Sequence, residues 1–464
     1  MLKRKTGNMR MNMKRKPFLL LMVFFVIAGF FYVRYANKPR DFNVLLITVD
    51  ALRQDHLGCY GYKVDTSPNI DKFAKDGVLF KQAISQASFT ASSFPSIMTS
   101  TYPDTHKVRE WGDSLDSSLL TLAQALKNMN YYGGVICAHN FFISLLGLER
   151  GFDTLNTGID LSAGEITKQA VLWLERNKSK RFFLWLHYFD PHEPYDPPAH
   201  IKKEMNIGSR KRNDREVPIL KNDPEDRDIR GGLGGISSYA IVEGRKDMGY
   251  YISLYDGEIR YADEQIGVLL NKLKDLKLYG RTLIIITADH GESMGEHDLF
   301  FTHGVFLYDP LLKVPLIIGG PSIPKGKVIT QQVQLIDIMP TVLSFLKIKA
   351  RSGMEGSSLL PLIFNKNSNN HKYAFSEVSG NLKSIRTSDW KLIYDSGADK
   401  YELYNLKTDP AEKNNLAGKE KGKFKFLKER LEKWSNRSKP NAMLLRKQIK
   451  DQEKDRLRGL GYLQ

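Results

Sequence analysis

The chain has 464 residues, enough for one large domain plus a smaller one, and its 42% hydrophobic and 26% charged content excludes a disordered protein. Its two cysteines, Cys59 and Cys137, are read as small buried thiols because nothing in the sequence brings them together, and no CxxC pair offers a cysteine zinc site. Ten of the 69 basic residues and none of the 52 acids lie in residues 1–40, so the net charge of +17 falls to +7 beyond that tail and, with no aromatic-basic repeat, argues against nucleic-acid binding.

The tail itself reads as a membrane signal. Lys3, Arg4, Lys5, Arg10, Lys14, Arg15 and Lys16 precede the uncharged run PFLLLMVFFVIAGFFYV, residues 17–33, and Arg34, Lys38 and Arg40 follow it. More positive charge before the run than after predicts a cytoplasmic N-terminus and an exported body. Residues 1–16 are then a basic cytoplasmic tail, 17–33 a transmembrane signal anchor and 34–41 a linker. The expected localisation is a single-pass membrane protein with its main domain periplasmic or extracellular. A cleaved signal peptide is the alternative.

Beyond the linker, strands and helices alternate. Asn43 to Val49, NVLLITV, is an apolar strand that ends on Asp50. Ser67-Pro68-Asn69 opens a helix that Gly77 closes. Leu119 to Met129 reads as a helix and Tyr132 to Ala138 as a strand, while Ser162 and Glu165 form a capping box for a helix carrying Ile166, Ala170, Trp173 and Leu174 on one face. Phe182 to Tyr188, FFLWLHY, is another buried strand. Lys202 to Gly235 reads as a polar surface excursion, and a long amphipathic helix follows with Ile252, Tyr255, Ile259, Ile266 and Leu273 on its apolar face. After the strand LIIIT and the strand in LLKVPLIIGGP, a helix over Asp337 to Leu346 completes the alternation. KYAFSEV, KSIRTSDWKLIYD and KYELYNL then read as an antiparallel meander, with a basic helix near Lys419 to Arg437 and a polar tail.

Polar chemistry gathers where the strands end. Asp289 and His290 follow LIIIT, with Gly291 permitting a tight turn, and His297 and His303 lie in the next loop. A carboxylate and an imidazole at the mouth of a sheet suit a metal site. Asp50 occupies the same position on its own strand, and His192 stands between Pro191 and Pro194 after the strand FFLWLHY. Ser88 to His106, SFTASSFPSIMTSTYPDTH, is crowded with hydroxyls, any one of which becomes a nucleophile only with a base or metal to activate it.

NVLLITVDALRQDHLGCYGY, FTASSFPSIMTSTYPDTH, HYFDPHEPYDPP, TADHGESMGEHDLFFTHG with LKVPLII, and IRTSDWKLI before ELYNLKTDPAEKNNLA occur in the order found in one family. From Asn43 to about Ala417 the chain resembles the sulfatase family of the alkaline phosphatase superfamily. The resemblance implies an α/β fold: a mostly parallel sheet flanked by helices over residues 42–365, carrying the catalytic site. A smaller C-terminal antiparallel sheet subdomain with a helical tail would occupy residues 366–464. In that family the nucleophile is Cys or Ser. Anchoring the motif on Thr99-Ser100 puts Thr90 at that position, while a shifted register would favour Ser93. Thr cannot become formylglycine. Ala51 stands where many members have a second Asp ligand, His290 where they have Asn, and His303 where a Lys is expected.

The resemblance therefore implies a membrane-anchored, metal-dependent hydrolase that cleaves a sulfate or phosphate ester by in-line attack of an activated hydroxyl. Thr90, His192 and His303 would be catalytic. Asp50, Thr90, Asp289 and His290 would hold one divalent ion, Ca, Mn, Mg or Zn. The expected partners are an anionic ester substrate and, through residues 17–33, the membrane. A phosphodiesterase or a phosphoglycerol- or phosphoethanolamine-type transferase is the alternative, and a catalytically silent, membrane-tethered anion-binding protein is the alternative of another class.

Overall fold

The computed structural model describes residues 40–158, 160–208, 215–220, 234–242, 244–349, 352–366, 372–437 and 442–459. Eight strands form the main sheet: β1 Asn43–Val49, β2 Val78–Ile84, β3 Tyr132–Cys137, β4 Thr154–Thr157, β5 Phe182–Tyr188, β6 Thr282–Ala288, β7 Lys313–Gly319 and β8 Lys327–Gln334. Their order is β8-β2-β7-β6-β1-β5-β3-β4. Only β7 runs against its neighbours, so seven strands end at one edge. The central strands β1, β5 and β6 are buried along their whole length, which explains why their sequences are continuously apolar rather than alternating. Burying each Val, Leu or Ile of this kind contributes roughly 1.5–3 kcal/mol.

Helices cover the faces. α1 Pro68–Lys75 has Pro at its first position, α2 Thr90–Thr99 follows β2, and α3 Ala163–Asn177 begins at the expected Ser162–Glu165 capping box. α4 Met248–Asp275 turns Leu254, Tyr255, Ile259, Ile266, Leu269 and Leu273 inward. Asp263 on this helix joins it to α1: its carboxylate accepts from the Asn69 amide at 3.0 Å and the Ile70 amide at 2.7 Å, two of the amides that a helix start leaves without intrahelical partners. Gly267, where α4 crosses α1, has no room for a side chain, since a Cβ would lie 2.5 Å from Asn69.

A second sheet is an antiparallel meander, β9 Ala374–Val378, β10 Leu382–Arg386, β11 Trp390–Asp395 and β12 Lys400–Asn405, in sequence order. α5 Lys421–Ser435 packs on it, with Trp434 stacked on Phe375 at 4.8 Å. A buried ion cluster ties this sheet to the first. Lys391, fully buried, sits 3.0 Å from Asp309 and 2.8 Å from Glu412, and Arg386 reaches Asp309 at 2.8 Å. The chain's last described helix, α6 Asp451–Gly459, returns to the main body, where Leu457 is buried.

The expected membrane anchor requires correction. Among the described residues no helix is long and apolar enough to cross a membrane. α4 has the length, at 28 residues, but Arg260, Glu264, Lys272 and Lys274 interrupt its surface with charge. The transmembrane helix in the expected fold, the membrane-anchored function, the membrane as partner and the single-pass localisation are not supported; residues 17–33, on which they rested, lie outside the described residues. Much of the expected excursion 202–235 lies outside them too. Cys59 and Cys137 are both free, and Cys137 is buried.

Candidate metal centre and active site

The edge at which the seven strands end gathers the polar residues. Asp50 follows β1 directly, and the chain turns away at once through Ala51, whose φ is +51°. Asp289 and His290 follow β6, and Thr90 is the first residue of α2; all four side chains are fully buried. β1 and β6 pair in register up to Val49 and Ala288, so Asp50 and Asp289 leave adjacent strands side by side.

His290 links the group. Its Nδ1 lies 2.8 Å from the Gly291 carbonyl, an acceptor only, so in the neutral ring Nδ1 carries the proton and Nε2 presents a lone pair. Thr90 Oγ1 donates to that nitrogen at 3.0 Å. Asp50 Oδ1 is 3.4 Å from Nε2 and Asp289 Oδ2 is 3.5 Å away. One potential ligand atom each from Asp50, Asp289 and His290 lie within 4.8 Å of one another. Asp289 Oδ2 receives no hydrogen bond among the described residues. Electron pairs thus converge in a dry pocket without the protons to match them, an arrangement that a divalent cation satisfies. The buried cluster is suited to such an ion, with its identity left open.

The charges agree with this reading. Burial disfavours ionised Asp50, but a hydrogen bond from His187 and the nearby imidazoles of His192 and His290 outweigh it and hold the carboxyl below its usual range. Asp289 goes the other way: burial and the Asp50 charge raise its pKa. For His290, burial opposes protonation, while Asp289 and Asp50 favour it and raise its pKa. The pocket therefore attracts positive charge.

The surroundings fix these groups in place. The Asp289 carbonyl accepts from Ser85 Oγ at 2.5 Å and from Ser93 Oγ at 2.8 Å. Ser93 is thereby engaged with backbone, one helical turn from Thr90. Gly291 passes so close to the next segment that a Cβ would lie 2.0 Å from the Pro310 carbonyl oxygen. Arg53 donates to the Glu292 carbonyl at 3.1 Å.

His192 and His303 form the outer layer. The His303 ring stacks 4.4 Å from that of His290 and lies 5.0 Å from that of His192. His303 Nδ1 is 3.1 Å from Glu292, whose carboxyl is pushed up to about 7, chiefly by burial. His192 Nδ1 lies 2.8 Å from the Glu193 carbonyl, and burial lowers its pKa to about 4. His297 stands apart, stacked on Tyr308 at 3.6 Å.

Two histidines escaped the sequence reading. His187 lies inside β5, with Nε2 3.4 Å from Asp50 Oδ2 and Nδ1 3.0 Å from Thr48 Oγ1, so it props Asp50 from behind. Nothing in FFLWLHY distinguishes it from core. His139 follows β3 by two residues, and the same strand-exit rule that marked Asp50 would have found it.

The sulfatase family profile matches residues 42–348, and the profile of the N-sulphoglucosamine sulphohydrolase C-terminal region matches residues 295–437. An arylsulfatase of Clostridium perfringens (strain 13 / Type A) is 26% identical over 452 residues, covering 82% of this chain and 91% of the relative. An N-acetylglucosamine-6-O-sulfatase of Bacteroides thetaiotaomicron is 24% identical over 501 residues, covering 88% of each. Among solved structures, one in complex with its substrate D-glucosamine-2-N,6-O-disulfate superposes with a TM-score of 0.71 at 23% identity, covering 86% of this chain and 97% of the other. The phosphonate monoester hydrolase of Agrobacterium radiobacter superposes at 0.68 and 22%, covering 84% and 94%. These two likenesses establish the shared fold.

Proposed function

We propose that this chain, which belongs to the sulfatase family of the alkaline phosphatase superfamily, cleaves a sulfate or phosphate ester with Thr90 as the attacking group. Its enzyme class is that of the sulfuric ester hydrolases and the related phosphoric ester hydrolases and transferases. The observation that carries the reading is the position of Thr90 Oγ1, 3.0 Å from His290 Nε2 and at the first turn of α2. A hydroxyl there lies beside the nitrogen that would hold the ion, and has the positive end of a helix next to it, an effect worth about 0.3–1 kcal/mol. Ser93, the other candidate, is already bound to the Asp289 carbonyl.

Asp50, Asp289 and His290 would hold one divalent ion, with Thr90 beside them. Bound there, the ion supplies positive charge that lowers the hydroxyl's pKa and offsets the charge that builds on the ester's oxygens. The bond from Thr90 Oγ1 to sulfur or phosphorus forms as the bond to the leaving alcohol breaks on the opposite side. His303 and His192, on the outer side, would bind an ester oxygen or protonate the departing alkoxide. Glu292 can resupply His303 with a proton across their 3.1 Å contact. Water then releases the Thr90 ester, or a second alcohol does so in a transfer. Because the nucleophile is Thr, no conversion to formylglycine precedes the reaction.

The test is a panel of aryl sulfates, phosphate monoesters, phosphodiesters and phosphonates assayed with Mn²⁺, Zn²⁺, Ca²⁺ or Mg²⁺, comparing the wild type with Thr90→Ala. The variant should lose on the order of 10³-fold in kcat while still binding the ion, in line with loss of a covalent nucleophile. Metal-dependent turnover that persisted in Thr90→Ala would move the nucleophile elsewhere. No wild-type turnover of any ester would favour a silent anion-binding protein.

A further inference from the structure

A cavity of about 340 Å³ lies where the antiparallel sheet meets the main one, walled by Gln82 of β2, Lys313 at the start of β7, Ser388 after β10 and Leu406 after β12. None of Asp50, Thr90, Asp289 and His290 lines it, so it is distinct from the metal centre.

The acids and the guanidinium in its wall are all matched. Asp55 has both oxygens on Arg53, at 3.0 Å and 2.8 Å. Asp309 has both oxygens on Arg386, and Lys391 serves it as well. Arg386 has nothing left to offer, since Nε and Nη2 donate to Asp309 while Nη1 donates to Gln82 at 3.0 Å and to Gln332 at 2.8 Å.

Lys313 is the exception. Half-buried, it makes no ion pair among the described residues. The hydrogen-bond partner of its Nζ is neutral: the Gln54 amide, turned so that its nitrogen donates to the Lys81 carbonyl at 3.3 Å, places its oxygen 3.2 Å from Nζ. Burial lowers the pKa of Lys313; Asp309 and Asp55 oppose this from beyond ion-pair distance, and Arg386 and Lys81 add to it. Water entering the cavity can satisfy the ammonium's N–H donors but brings no opposite charge.

Pro310, Leu406 and Pro410 supply apolar wall, and Ser388 a hydroxyl. Such a cavity suits a single negative head on a hydrocarbon body. Asp55 and Asp309 in the same wall disfavour a second negative charge on the ligand.

We infer that this cavity is a second ligand site, which takes a small organic monocarboxylate with its head on Lys313 and its body against Pro310, Leu406 and Pro410. The inference is independent of what Thr90 does. Titration calorimetry of the full chain with Mn²⁺ tests it, using benzoate and its uncharged counterpart benzamide as probes.

Benzoate should bind at least about ten-fold tighter than benzamide, as one charge-assisted contact provides. That preference should vanish in Lys313→Met and survive in part in Lys313→Arg. Benzoate affinity should also fall in Ser388→Trp, whose ring would occupy the cavity. Thermal unfolding of the ligand-free variants shows which of them are folded, and Ser388, being exposed, keeps the test open if Lys313→Met is not. A carboxylate that merely joined the ion at Asp50 and Asp289 would bind Lys313→Met as tightly as the wild type. That outcome overturns the inference, as does benzoate binding no tighter than benzamide, or an affinity unmoved by Ser388→Trp.

Discussion

Asp50 and Asp289 share one buried volume, and burial pushes both toward the neutral form. His187 and the neighbouring imidazoles keep Asp50 ionised, so Asp289 bears the cost of facing it. Without a cation this is a repulsive pair; with one it is a ligand set. Asp289→Asn should therefore have opposite effects in the two states. In chelator-treated protein at pH 7 it should raise stability by about 1–3 kcal/mol, as removal of an uncompensated buried charge does. With a saturating divalent ion, which adds about 2.7 kcal/mol to the wild type at a concentration 100-fold above its Kd, the variant should gain far less. Paired thermal unfolding scans, with and without the ion, check both. A variant less stable than the wild type in the chelated state would mean that Asp289 is held by hydrogen bonds rather than waiting for a metal.

Between elements, the join of α4 to α1 is the sharpest case. Asp263 is fully buried and caps a helix 194 residues away, and its carboxyl is raised to about 6, mainly by burial, against the hydrogen bonds from Ile70 and Asn69 that lower it. A carboxyl whose pKa is higher folded than unfolded binds more protons in the folded state. Its stabilising effect is complete below about pH 4 and is lost as pH rises through about 6. Asp263→Asn removes that titration. The difference in stability between variant and wild type should shift in the variant's favour by up to about 3 kcal/mol between pH 4 and pH 7, from the 1.36 kcal/mol that each pKa unit represents. Urea unfolding at several pH values measures it; parallel pH profiles for the two proteins would refute it.

Much at this scale was legible in the chain itself. NVLLITV and LIIIT announce buried strands because burial on both faces removes the need for alternation, and Asp50, Asp289 and His290 stand out because a polar residue after such a strand is otherwise costly. The Ser162–Glu165 capping box is a local signal and was readable as one. His187 was not, since its role depends on β1 lying beside β5, a pairing of residues 139 apart.

At the scale of the molecule, the two sheets are joined by ions as well as by apolar contact. Arg386 and Lys391 hold Asp309 far below the ordinary carboxylate range despite its burial, and Lys391 also serves Glu412, whose carboxyl burial lifts to about 7. Lys391→Met would leave Asp309 paired with Arg386 alone and would remove the one ion pair that Glu412 makes among the described residues. It should cost about 3–5 kcal/mol, the usual penalty for breaking a buried pair from one side. Lys391→Met/Glu412→Gln should recover a substantial part of it. Calorimetric unfolding of the three proteins decides; no loss in the single variant would make the cluster incidental to the union of the sheets.

The placement of β1 bears on how the chain comes to be folded at all. Its two neighbours, β5 and β6, begin at Phe182 and Thr282, so in a chain made from its N-terminus this apolar ribbon emerges long before either flank exists to cover it. Until then both of its edges are open to any other extended chain, the circumstance that favours aggregation and slows non-local pairing. Because Asp50 and Asp289 leave those same adjoining strands, the pocket cannot close until the chain has been made past its midpoint, so its two carboxylates stay apart through the first half of synthesis.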